Sequence, residues 1–159
     1  MRLTMYSDFS LRVLMYVGTK ESGELSTIRE ISEAYGISKN HLMKVTYDLA
    51  KLGYIHSTRG RGGGIRLAIQ PKEINIGKLI RQTEDDFYLV ECFDCARNKC
   101  VITPVCYLKG ILAQALRAYL AVLDGYTLED LLENKAELRS ILVAPTNTTD
   151  SSFENQEEE

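Results

Sequence analysis

The sequence predicts a mainly α fold with a small β-hairpin: a winged helix-turn-helix followed by a cysteine loop and one long helix. Three observations predict it. Two short helical patterns flank a turn at Gly36, two strand-like runs flank the string "RGRGGG", and a wide apolar helical stripe covers residues 108–123.

Thr4 is a suitable N-cap for a helix over residues 4–19, with Leu11, Leu14 and Val17 on one stripe, and Gly23 breaks the pattern. Thr27 and Glu30 form a capping-box pair that opens "IREISEAY", which stops at Gly36. Ser38 caps the next helix, "KNHLMKVTYDLAKL", which ends at Gly53, with Leu42, Val45, Leu49 and Leu52 as its buried side. "YIHST" and "IRLAI" read as two strands, with the Gly-rich string as the wing tip between them. After Pro71, Asn75 caps a short helix through "INIGKLIRQTE". The apolar positions 108, 111, 112, 115, 116, 119, 120 and 123 of the long helix cover more than one face, so a dimerisation helix is expected. Thr127 caps a last helical stretch reaching about Leu142, and from Pro145 the polar, acidic chain is expected to be disordered. The expected division is therefore residues 1–75 as the reader, 76–107 as a connecting helix and cysteine loop, 108–143 as dimerisation and C-terminal helices, and 144–159 as a tail.

An apolar fraction of 45% over 159 residues is enough for one buried core. No apolar run approaches the roughly 18 residues of a membrane span, and the first residues lack signal-peptide features, so a cytoplasmic protein without a membrane partner is expected. The net charge of −3 is divided. Residues 1–81 hold 13 Lys and Arg against 7 Asp and Glu, a sum of +6, whereas residues 82–159 hold 6 against 15, a sum of −9. A basic front half on an acidic chain suits a nucleic-acid reader joined to a regulatory half.

In a recognition helix following Ser38, the residues that meet bases and phosphates are Ser38, Lys39, Asn40, His41 and Lys44. Asparagine pairs with adenine through two hydrogen bonds, and lysine neutralises phosphate. In the wing, Arg59, Arg61 and Arg66 interleave with Gly60, Gly62, Gly63 and Gly64, removing bulk where backbone approaches a duplex. The string lacks G-x-G-x-x-G spacing and a GK[ST] ending, so it is not read as a nucleotide cradle. No nucleophile–histidine arrangement or acid/base pair points to an enzyme.

All four cysteines, Cys92, Cys95, Cys100 and Cys106, fall in "ECFDCARNKCVITPVC". A reducing compartment favours metal over disulfide. Structural zinc sites commonly use two C-x2-C knuckles, and only one is present; bacterial ferredoxin spacing is absent too. Composition favours an iron–sulfur centre over zinc, and zinc over a redox disulfide switch, with all three open. Neither His41 nor His56 lies near the loop.

The order "YSDFSLRVL", "ISKNHLMKV", "LGYI…RGRGGGIRL", "INIGKLIRQTEDDF", "VECFD" and "CVITPVC.LK" resembles the NsrR family of repressors, within the winged-helix iron–sulfur regulators that also include IscR and RirA. The likeness runs from about residue 1 to residue 142. It implies a homodimer on a palindromic double-stranded operator that senses nitric oxide through a 4Fe–4S cluster and represses nitrosative-stress genes. It places the family's three thiolate ligands on Cys92, Cys100 and Cys106, and its carboxylate ligand, from the partner subunit, on Asp8. Cys95 is a departure from the family pattern and reads as spare, with substitution for Cys92 or Asp8 as the alternative. Arg12, four residues after Asp8, is expected to orient that carboxylate; as a simple helix pair the two would be worth at most about 0.5 kcal/mol. Related regulators of iron or cluster status, or a zinc-stabilised regulator, are the alternatives. Tyr107 after Cys106, with no histidine nearby, counts against an IscR-like 2Fe–2S centre.

Overall fold

The computed structural model describes residues 2–143, and the tail expected to be disordered lies outside them. Helix α1 (Met5–Gly18) begins where Thr4 accepts a hydrogen bond from the Ser7 N–H, as its N-cap role requires. Helix α2 (Ile28–Tyr35) opens on the reciprocal capping box: the Thr27 N–H donates to Glu30 at 2.5 Å, and the Glu30 N–H donates to Thr27 Oγ1 at 3.1 Å. It ends at Gly36, whose φ of 65° lies in the left-handed region that a glycine C-cap adopts without strain. Ser38 then caps helix α3 (Lys39–Lys51).

Strands β1 (Ile55–Thr58) and β2 (Gly64–Leu67) pair antiparallel, with Ile55 opposite Leu67 and Thr58 opposite Gly64. Each is one residue shorter than "YIHST" and "IRLAI", and β2 stops at Leu67 because the chain bends at Ala68 and Ile69, although the Ala68 N–H still donates to the Tyr54 carbonyl. Ser26 bridges Ile65 through two backbone hydrogen bonds of 2.9 and 2.7 Å, fastening the hairpin root to the turn before α2.

Helix α4 (Ile76–Thr83) is capped by Asn75, and helix α5 (Tyr107–Asp124) ends at Gly125. The last helical stretch is two pieces, α6 (Leu128–Leu131) and α7 (Lys135–Val143), rather than the single helix expected to reach Leu142. The break lets Leu132 seat against Gly18 of α1, where a β-carbon would stand 2.5 Å from Leu132 Cδ1. Asn134, a weak helix former, occupies the interruption.

One core joins these elements: Val13, Leu14 and Val17 of α1, Ile31 of α2, Leu42, Val45 and Leu49 of α3, Ile55 and Ile65 of the hairpin, Leu79 and Ile80 of α4, and Leu128 of α6. Burying each such side chain contributes about 1.5–3 kcal/mol. Leu52, expected on the buried side, is the C-cap of α3 and is exposed, because the helix has turned away from the core by that point. No residue of α5 is buried, although the helix spans 18 residues. No helix of the described residues is long and apolar enough to cross a membrane.

Candidate nucleic-acid interface and metal centre

The first two turns of α3 present Ser38, Lys39, Asn40, His41 and Lys44 to solvent. They are exposed because Leu42, Val45 and Leu49 take the opposite face into the core. Ser38 Oγ accepts from the His41 N–H at 3.4 Å, leaving its own proton free to donate. The His41 ring lies 5.9 Å from the Phe9 ring of α1, so the base of the reading face rests on α1. A second tie runs from Tyr6 Oη, which donates to Asp48 of α3 at 3.0 Å. Burial, then the Asp48 carboxylate, push the Tyr6 hydroxyl up to about 12, so it stays a neutral donor.

Sequence reasoning missed three further residues of this face. Met43 and Tyr47 are large apolar side chains left 50% and 68% exposed, and Lys51 is exposed beside them. Their spacing of four along α3 already aligns Met43 and Tyr47 on one side, and that period was the available clue.

Arg59, Arg61 and Arg66 are all exposed on the hairpin. The glycines answer first to the hairpin itself. Gly60 and Gly62 have φ of 100° and 79°, while a β-carbon on Gly63 would strike the Thr58 carbonyl and one on Gly64 would come within 2.7 Å of the Ser26 carbonyl. The arginines are therefore the part of the wing whose exposed positive charge would suit a polyanion.

The cysteine loop joins α4 to α5 through two short 3₁₀ turns, Glu91–Phe93 and Thr103–Val105. Its folding is local. The Lys99 N–H donates to Glu91 Oε1 at 2.5 Å, the Cys100 N–H to Asn98 Oδ1 at 3.0 Å, and Thr103 Oγ1 to the Cys100 carbonyl at 2.8 Å. All four thiols are free: Cys92 is buried, Cys100 and Cys106 are half-buried, and Cys95 is exposed. Cys106 occupies the N-cap of α5, where unpaired N–H groups favour negative charge.

Among the described residues of one chain, no three His, Cys, Asp or Glu side chains are gathered as a metal site. The donor chemistry nonetheless fits an iron–sulfur group, since unpaired thiols on one loop are the ligands such groups take. Asp8 is not free in its own chain. Its Oδ2 lies 2.9 Å from Arg12 Nη2 and its Oδ1 accepts from Arg12 Nε at 3.1 Å, while the guanidinium stands 5.7 Å over the Tyr35 ring of α2. Arg12 thus fixes the Asp8 carboxylate in the first turns of α1.

Comparison with known proteins follows the same outline. A family model described as "Rrf2: Iron-dependent Transcriptional regulator" matches residues 3–134. The HTH-type transcriptional regulator NsrR of Bacillus subtilis is 59% identical over 142 residues, covering 89% of this chain and 97% of that protein. The regulator of the same name from Bacillus licheniformis is 56% identical over 142 residues, covering 89% and 99%. Among solved structures, T. potens IscR superposes with a TM-score of 0.68 at 22% identity, covering 86% of this chain and 90% of that one, a likeness of fold.

Proposed function

The chain belongs to the Rrf2 family of transcriptional regulators, and from that premise we propose that it is a cytoplasmic, homodimeric repressor that senses nitric oxide through an iron–sulfur cluster. The observation that carries this reading is the 59% identity with an NsrR regulator over almost the whole of that protein. Three partly or fully buried free thiols on one loop support it.

The exposed face of α3 enters the major groove of a palindromic operator. Asn40, Met43 and Tyr47 lie toward bases, and Lys39, Lys44 and Lys51 toward phosphates. Arg59 and Arg61 of the wing reach the flanking backbone or minor groove, with Gly62 and Gly63 keeping the tip thin.

Two copies are needed to supply two half-sites, and α5 is the surface that joins them. Around its N-terminal end Val101, Val105, Tyr107, Leu108 and Ile111 are exposed together, an apolar patch suited to burial against a second copy.

Cys92, Cys100 and Cys106 hold the cluster, most fittingly 4Fe–4S, with Asp8 of the partner subunit as the fourth ligand and Arg12 orienting that carboxylate. When bound, the cluster supplies iron with affinity for nitric oxide. Asp8 offers oxygen where the loop offers sulfur, and oxygen binds iron less covalently. Cys95, the exposed thiol, is left out of the set. Because Asp8 belongs to the helix on which α3 rests through Tyr6 and Phe9, gaining or losing its metal bond bears on the reading face.

Iron and acid-labile sulfide measured in protein purified without oxygen, with absorption spectra before and after nitric oxide, test the reading. Both elements in comparable amounts and a spectrum altered by nitric oxide are expected. Zinc without sulfide would overturn it.

A further inference from the structure

Four consecutive residues at the end of α4, the last of them its C-cap, reach three other parts of the fold: α5, the α3–β1 junction and the start of α1. Arg81 grips Asp124 at the end of α5 with both terminal nitrogens, at 2.5 and 2.8 Å. Gln82 Oε1 accepts from Tyr54 Oη at 2.5 Å, at the junction of α3 and β1. Thr83 Oγ1 accepts from Ser7 Oγ of α1 at 2.7 Å, both residues being buried. Glu84 Oε1 accepts from the Thr4 N–H at 2.8 Å and from Thr4 Oγ1 at 3.0 Å, holding the residue that caps α1. Successive side chains on a helix point about 100° apart, so one turn can address neighbours on every side. Anchoring α4 does not require this, since Ile76, Leu79 and Ile80 already bury it and Asn75 already caps it.

The chain runs from Glu84 straight into the segment that carries the cysteines. We propose that the last turn of α4, Arg81 to Glu84, couples the cysteine loop to the reading head and to α5, with Glu84 as the positioning residue on the DNA side. This rests on the proposed function and names how its site is read out. A displacement of the loop acts on Glu84 first. Glu84 holds Thr4, Thr4 starts α1, and α1 carries Tyr6 and Phe9 against Asp48 and His41 of α3. Asp8 lies one turn beyond Thr4, so the partner's cluster and this protomer's own loop act on the same end of one helix. Arg81 and Asp124 transmit the same displacement to α5, and with it to the spacing of the two reading heads.

The test is the ratio of operator affinities between full-length protein loaded without oxygen and the same protein after its cluster is removed. It is measured for wild type, Glu84→Ala and Glu84→Gln, with iron and sulfide per chain recorded. Glu84→Ala should move the ratio at least about fivefold toward one, a change within the usual range for coupling between sites. Iron content and the affinity of the emptied form should stay near wild type, and Glu84→Gln, which still accepts from Thr4, should restore the ratio. A purely structural role would weaken both states together and leave the ratio alone. If Glu84→Ala does not fold, Tyr54→Phe, which deletes one hydroxyl, is judged by the same criterion. A wild-type ratio preserved in the variant overturns the coupling, whereas a ratio of one in wild type itself overturns the sensing reading and the coupling with it.

Discussion

Replacing Gly77 by alanine tests whether α5 docks on α4 as described. The added β-carbon would strike Asp124 Oδ1 and stand 2.9 Å from both Arg81 Nη1 and the Asp124 backbone nitrogen. The carboxylate cannot swing aside freely, because Arg81 holds both its oxygens. Overpacking of this kind costs about 1–3 kcal/mol. At about 2–4 °C per kcal/mol for a chain of this size, the middle of that range lowers the melting temperature by about 4–8 °C. Alanine's better helix propensity offsets part of this, and only a small part at the second position of α4. Asp124→Ala alone loses an exposed ion pair and should be close to neutral. In that background Gly77→Ala should cost clearly less, since the carboxylate is gone and the flexible end of Arg81, no longer held by it, can move aside, leaving the backbone nitrogen as the fixed obstacle. Thermal unfolding followed by circular dichroism at one fixed protein concentration, for the four proteins of the cycle, is the assay. A melting temperature within about 1 °C of wild type for Gly77→Ala would refute the close approach of α4 and α5.

Three further outcomes are expected. Cys95→Ala should retain iron and sulfide while Cys92→Ala loses them, measured in protein prepared without oxygen; the reverse result makes Cys95 the ligand. Leu108→Glu together with Ile111→Glu should shift sedimentation from dimer to monomer, and a persistent dimer would move the interface away from the N-terminal part of α5. Arg59→Ala and Arg61→Ala should each weaken operator binding whatever the base sequence, and each should lower the slope of log affinity on log salt by about 1. Unchanged slopes would take the wing off the phosphates.

Local chemistry made most of the fold legible. Thr27, Ser38 and Asn75 cap through partners three positions away, Gly36 ends α2 by its own left-handed backbone, and each sits where the sequence places it. What escaped depends on distant neighbours. The break at 132–134 answers to Gly18, more than a hundred residues away, and the exposure of Leu52 depends on where the core stops. The exposure of the polar residues of α3 was legible because they fall opposite the Leu42, Val45 and Leu49 stripe, whereas the exposure of Met43 and Tyr47 runs against their residue type. The cysteine loop has neither helical nor strand period, so its spacing left iron–sulfur, zinc and disulfide open, and only the family likeness chose among them. The hydrogen bonds of Arg81, Gln82, Thr83 and Glu84 join residues 28 to 80 positions apart, and no pattern along the chain announces them.

The most direct measurement is operator affinity of one anaerobic preparation before and after nitric oxide, with its iron and sulfide known. Tight, salt-dependent binding to the palindrome that is lost as the absorption spectrum changes is the predicted result. Equal affinity in both states, or a preparation that binds its operator fully with no iron in it, would contradict the claim that metal held by these cysteines governs the reading of DNA.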